Sequence, residues 1–362
     1  MADSRPRRLA ALSEAVAAAG LDALLVTSLP NIRYLTGFSG SSALLVATSA
    51  ETVFISDFRY QTQAAEEIGD VARIVIEPVS LWAALWTQLA GLTGVKLVGF
   101  ESAHMPYRDH QRLQEAGARW HWRAVADLVE PLRERKDDAE VAAIERAAGV
   151  ATRALSRTLE RVRVGMTELE AAGVLEHALR DEGSEGFAFP TIVAAGARAA
   201  LPHAQPTGHR VASGDFLLFD FGAVVDGYCS DVTRTVVVGR ASAEQREVYD
   251  VVRQANATAA AAVHAGMTGR DADAVARSYI ERHGLGELFG HSLGHGIGLE
   301  VHEAPRLART NEQALPPGAV VTIEPGVYRA GWGGVRIEDD VWLGPDGSRI
   351  LTDFPRELLE LV

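Results

Sequence analysis

The 362-residue chain carries a formal net charge of −13 and 47% hydrophobic residues, enough apolar material for the cores of two domains. That acidity excludes a general affinity for nucleic acid or an anionic membrane surface, since both need clustered Lys and Arg and no basic run is present. Cys229 is the only cysteine, so no intramolecular disulfide forms, which is compatible with a reducing compartment.

The N-terminal stretch MADSRPRRLAALSEAVAAAGLDALLV starts basic, but Glu14 and Asp22 interrupt its apolar runs before they reach signal-peptide or membrane-spanning length. It reads as an amphipathic helix leading into a strand, in a cytoplasmic protein. DALLVTS, ALLVATS, ETVFISD and VKLVGFE then follow as strand-length β-branched runs, with helical spacing over Tyr60 to Glu67 and Pro106 to Ala116. The first third is therefore an α/β domain, placed at residues 1–130. Near Pro131 the texture changes to a long charged and apolar helix that opens a second domain, residues 131–362.

This second domain repeats itself. VGMTELEAAGVLEHALRDEG from Val164 aligns without gaps on AGMTGRDADAVARSYIERHG from Ala265, and the shared residues include the helix-closing glycines Gly183 and Gly284. Each copy follows a long helix and precedes a strand pair, which predicts an α+β domain with an internal pseudo-twofold repeat. The strand pairs carry acids at inward-looking positions: Asp220 and Asp231 in the first, Glu324 and Glu338 in the second. If Asp226-Gly227 makes a two-residue hairpin turn, Asp231 falls opposite Gly222 and diagonal to Asp220, on one face of the ladder. Four buried carboxylates are prohibitive without cations, and two divalent ions cancel four charges. Between the strand pairs, GHSLGHGIGLEVHEAP supplies His291, His295 and His302 on a glycine-rich segment, and His203 precedes the Asp220 strand.

The set Asp220, Asp231, His295, Glu324 and Glu338, with HGIGLEVHE and TIEPGVY around it, resembles the pita-bread metallopeptidases, in particular their proline-cleaving branch of aminopeptidase P and prolidase. NIRYLTGFSGSSALLV and ISDFRY are similar to the creatinase-type N-terminal domain of that branch. Creatinase itself has lost the metal ligands, whereas all five are present here; Pro190 departs from the acid found in many relatives. The resemblance implies that Asp231 and Glu338 bridge two metals, that Asp220 chelates one, and that His295 with Glu324 completes the other. It also implies manganese, with cobalt or zinc as substitutes, a peptide substrate with proline second, and a homodimer. By the same resemblance His302 assists the developing oxyanion, Glu324 shuttles a proton, His203 and His291 line the pocket, and Arg336 supports the site from behind.

Two activities fit these residues, an aminopeptidase acting on longer peptides and a strict Xaa-Pro dipeptidase, beside a silent binding protein on the same fold. The dipeptidase needs a cation for the substrate's carboxylate, for which Arg306 and Arg336 are candidates. A short N-terminal domain caps the site incompletely, so the expectation favours the aminopeptidase.

Overall fold

Strands buried on both faces set the architecture of the first unit, because continuous apolar runs such as Ala23–Val26 and Ala43–Thr48 have no solvent side to present. The computed structural model describes residues 3–361 and divides at Arg133/Glu134 into two units. The first contains α1 (Arg5–Ala18), β1 (Ala23–Val26), α2 (Leu29–Thr36), β2 (Ala43–Thr48), β3 (Thr52–Ser56), α3 (Gln61–Ile68), β4 (Arg73–Ile76), α4 (Leu81–Gly91), β5 (Leu97–Glu101), α5 (Tyr107–Glu115), β6 (His121–Val125) and α6 (Glu130–Arg133). Its six-stranded mixed sheet runs β4-β3-β2-β1-β5-β6, antiparallel across β1–β2 and β2–β3 and parallel elsewhere.

The second unit begins with α7 (Asp138–Leu159) and α8 (Glu168–Asp181), each started by a capping box, Asp137 with Glu140 and Thr167 with Glu170. There follow β7 (Ile192–Ala195), β8 (Phe216–Phe221), β9 (Val224–Val225), β10 (Tyr228–Cys229) and β11 (Val232–Val238). The second half opens with α9 (Ala243–Ala262) and α10 (Gly269–Arg282). It continues through β12 (Gly294–Gly296), β13 (Glu303–Leu307), β14 (Val320–Ile323), β15 (Gly326–Arg329), β16 (Gly333–Arg336), β17 (Asp339–Gly344), β18 (Gly347–Ile350) and β19 (Glu360–Leu361).

The repeat is structural as well as sequential. Thr167 and Thr268 cap α8 and α10 by accepting from Glu170 N–H and Asp271 N–H, and Gly183 and Gly284 close them at positive φ, 100° and 75°. Gly165 N–H donates to Val211 O and Gly266 N–H to Leu315 O, both at 2.8 Å, so each helix pair is tied down by the same backbone bond. One sheet has the order β19-β11-β8-β7 and the other β13-β12-β14-β17-β18. Period-two alternation on β8 sends Leu217, Phe219 and Phe221 into a core shared with α7 and α8, while Phe216 and Leu218 join the core of the second half. Asp220 shares the face of Phe216 and Leu218. The acid is thereby directed at the seam between the halves.

Candidate metal centre

Hairpin register builds the site from the first strand pair. Asp226 and Gly227 form a two-residue turn with φ of 51° and 77°, the doubly positive conformation that matches strand twist, and Val225 pairs with Tyr228. The same register continues into Phe221↔Val232 and Asp220↔Thr233, which puts Asp231 opposite Gly222 and diagonal to Asp220, as the turn length requires. Gly222 is obligatory at this crossing, since a Cβ there would stand 2.0 Å from Ser230 O. In the second strand pair, Ile323↔Asp339 on one side and Gly326↔Arg336 on the other put Glu324 directly opposite Glu338. The halves are stitched through β11, where Glu338 N–H donates to Thr233 O (3.1 Å) and Thr233 Oγ1 donates to Glu338 Oε2 (2.5 Å).

His295 arrives on β12, next to β14. Its Nδ1 lies 3.0 Å from Gly296 O, which makes Nδ1 the protonated nitrogen and leaves the Nε2 lone pair free. Nε2 stands 3.4 Å from Glu324 Oε1 and 3.8 Å from Asp231 Oδ2. Burial pulls the His295 pKa down to about 4, so the ring is a neutral donor near neutral pH. Ligand atoms of Asp231, His295 and Glu338 all lie within 4.8 Å of one another.

The protein leaves this cluster electrostatically incomplete. Burial, then the charges of Glu338, Asp220 and Glu324, push the Asp231 carboxyl well above its ordinary range; burial, then Glu324 and Asp220, does the same to Glu338. Glu324 is raised to about 8, again mainly by burial. Asp220 Oδ1 and Asp231 Oδ1 are buried without a hydrogen-bond partner among the described residues. An unpaired buried carboxylate costs several kcal/mol, as much as about two fully buried Leu or Phe side chains return at roughly 1.5–3 kcal/mol each. The buried Arg336 guanidinium offsets one charge, by donating to Asp220 Oδ2.

These residues stand in a recognisable sequence. Residues 142–345 match Metallopeptidase family M24, and residues 8–135 match the Creatinase/Prolidase N-terminal domain. The chain belongs to metallopeptidase family M24. It is 39% identical to a solved Xaa-Pro dipeptidase from Bacillus anthracis, covering 99% of this chain and 100% of that one with a TM-score of 0.95. It is 38% identical to an X-Pro aminopeptidase from Thermotoga maritima, covering 96% and 98% with a TM-score of 0.89. A Xaa-Pro dipeptidase from Pyrococcus horikoshii is 36% identical over 341 residues, 94% of this chain and 95% of that protein. The expected pita-bread fold and creatinase-type first domain are thus both present, and family M24 membership makes the protein a metal-dependent peptidase.

Divalent ions suit the donor set. Asp231, His295 and Glu338 converge, Glu324 stands against His295 and Asp220 faces the same cavity; with the Oδ1 atoms of Asp220 and Asp231 meeting no donor among the described residues, the lining is oxygen-rich and suits hard or borderline cations. The same residues line a cavity of about 860 Å³ together with His203, His291, His302, Arg306 and Arg336. The His302 ring packs against that of His295 with centroids 4.4 Å apart.

Both ring nitrogens of His291 bond to the protein, while the ring itself lines the cavity. Arg336 Nη1 donates to Tyr328 Oη (2.7 Å), so the Tyr328 hydroxyl donates onward to His291 Nε2 (2.9 Å), and His291 Nδ1 is the nitrogen that donates to Ser292 O (2.8 Å). Burial keeps that ring neutral, its pKa near about 4, and raises Tyr328 to about 12. Tyr328, Thr233 and Thr322 are site residues that the sequence reading passed over. Thr322 Oγ1 accepts from His295 N–H (3.1 Å) and lies 3.3 Å from Glu324 Oε1. Strand parity was the available signal, since Thr233 is two residues from Asp231, Thr322 two from Glu324 and Tyr328 four from Glu324.

Proposed function

We propose that this Xaa-Pro peptidase is a dipeptidase that splits Xaa-Pro dipeptides at a site of two divalent ions. The carrying observation is the unequal employment of its two candidate arginines. Arg336 is buried and spent on Asp220, Tyr328, Thr233 Oγ1 (3.1 Å) and Pro202 O (3.4 Å). Arg306 lines the same cavity, is exposed, and has no carboxylate partner among the described residues. It is paired across the ladder with His295, so its side chain leaves the sheet on the ligand's face. A free guanidinium there suits the C-terminal carboxylate of a dipeptide, which lies one residue beyond the scissile bond. The preference for an aminopeptidase that the short first domain suggested gives way on this ground, and more of the similar proteins carry dipeptidase or prolidase names.

In this reading Asp220, Asp231, His295, Glu324 and Glu338 hold the ions, manganese by preference because carboxylates outnumber imidazole. When bound, the ions supply Lewis acidity, lowering the pKa of water and polarising the scissile carbonyl. Glu324 takes the proton of the attacking water on a carboxylate oxygen and returns it to the proline nitrogen as the C–N bond breaks. His302 donates to the carbonyl oxygen as it gains charge. The tertiary amide nitrogen of an Xaa-Pro bond has no N–H to offer, and a pocket of histidines and apolar walls such as Phe189, Pro190 and Ile192 asks for none.

The test compares kcat/KM for Ala-Pro, Ala-Pro-Ala and a five-residue peptide with proline second. A steep fall beyond the dipeptide, abolished by Arg306→Ala mainly through KM, is expected. An undiminished rate on the longer peptides rejects the dipeptidase and selects the aminopeptidase.

A further inference from the structure

Outside the metal centre, two other buried carboxylates each close a loop that carries a cavity histidine. On α8 the Glu168 side chain is fully buried. It accepts from Ala195 N–H (2.9 Å) at one end of the loop and from Thr207 N–H (2.9 Å) and Thr207 Oγ1 (2.7 Å) at the other. Between them Arg198 Nε donates to both carboxylate oxygens (2.9 and 3.0 Å), and Arg198 Nη2 donates to Gln205 O (2.8 Å). Residues 195–207 are thereby fastened at both ends, and His203 lies within them.

On α10, the corresponding helix of the second half, Asp273 receives Arg277 through two bonds, 2.6 and 2.8 Å, and accepts from Leu293 N–H (3.0 Å). Arg277 in turn donates to Phe289 O (2.9 Å) and His291 O (2.7 Å), with its guanidinium 4.1 Å from the centre of the Phe289 ring. The run 289–293 is gripped on both sides of His291. Buried ion pairs of this kind are a poor source of stability, because well-packed apolar residues of similar volume serve as well or better. What these two contribute is a fixed backbone path beneath a histidine.

Resting on the assignment of this cavity as the substrate site, we propose that Glu168 and Asp273 are positioning residues, each acting through its own histidine, Glu168 through His203 and Asp273 through His291. The two clamps share no residue; the loops they hold both reach Arg336, which donates to Pro202 O (3.4 Å) and to Tyr328 Oη (2.7 Å), the donor to His291, so a cross-effect between them runs through that arginine.

The experiment measures kcat/KM on Ala-Pro and bound metal for Glu168→Gln and Asp273→Asn, each in the unmutated, His203→Ala and His291→Ala backgrounds. Alone, each clamp variant loses between about tenfold and a hundredfold in kcat/KM, the range expected for a displaced contact, with metal content retained. Glu168→Gln adds little to His203→Ala but keeps most of its effect with His291→Ala, and Asp273→Asn shows the reverse. Equal losses in every background, or a loss of metal, overturn the proposal. Arg198→Met and Arg277→Lys remove the cationic partners while leaving the carboxylates in place, and must reproduce the same pairing if the first two variants fail to fold. If His203→Ala and His291→Ala leave kcat/KM unchanged, the assignment of the cavity falls as well; active-site effects without the pairing sink the clamps alone.

Discussion

Glu101 in the first unit and the acids of the metal centre are buried alike but provided for differently. The Glu101 carboxylate accepts from Thr27 N–H (2.6 Å), Ser28 N–H (2.8 Å) and Asn31 Nδ2 (2.6 Å), and Asn31 Oδ1 accepts in turn from Arg133 Nη1 (2.7 Å). Burial raises its pKa, but those three donors oppose the rise. Asp231 and Glu338, by contrast, face other carboxylates, and the Oδ1 atoms of Asp220 and Asp231 meet no donor among the described residues. Burial alone therefore does not mark a functional acid. The informative property is whether the protein itself completes the carboxylate's shell.

The contrast is broken most severely at the centre. Glu338→Ala is expected to cut kcat/KM on Ala-Pro by about a thousandfold or more while lowering bound metal, since it removes both a proposed ligand and the partner of Thr233 Oγ1. Near-normal activity with full metal content rejects the assignment of Glu338.

A second, smaller effect concerns pH. Burial raises the Glu324 carboxyl to about 8 from an ordinary value of 4.5, a shift to be read on protein stripped of metal by a chelator. Through that window the folded protein holds a proton that the unfolded chain has released, so this group's stabilisation is complete below about 4.5 and is lost as pH rises through about 8. Chelated protein should thus lose thermal stability relative to chelated Glu324→Gln between about pH 5 and pH 8. Readded metal should reverse the trend, because ions bind the deprotonated site. A Tm difference that is flat in pH after chelation counts against a raised Glu324.

The smallest change in activity is expected on the other side of the comparison. Glu101→Gln should leave metal content intact and kcat/KM within about twofold, while lowering stability by about 1–3 kcal/mol in denaturant titration, the cost of mismatched buried donors. Metal loss in that variant erases the distinction between the two kinds of acid.

Much of the catalytic unit was legible because its signals are local and periodic. Capping threonines, closing glycines and the Asp-Gly turn are each decided within a few residues, and strand parity carries Asp220 and Asp231 to one face from there. Other features depend on partners far along the chain. Tyr328 gains its role from Arg336 and His291, and Arg306 and Arg336 looked equivalent until the three-dimensional structure put one to use and left the other without a carboxylate partner among the described residues. In the first unit the two edge strands β4 and β6 were missed, because their residues are half-buried or exposed and their apolar runs are short.

The Asp226-Gly227 turn has a consequence for how this chain tolerates change. Strand faces alternate residue by residue, so the turn works as a counting device: two residues deliver Asp231 to the interior, and three would deliver its neighbours instead. A single inserted codon at this tip would either turn Asp231 and the buried residues of β11 to the wrong faces together or have to be absorbed as a bulge beside the turn. The same insertion at the exposed β17–β18 turn, where Gly344 pairs with Gly347, would meet no such penalty. Length at one tip is thus under chemical control, and at the other it is free to drift.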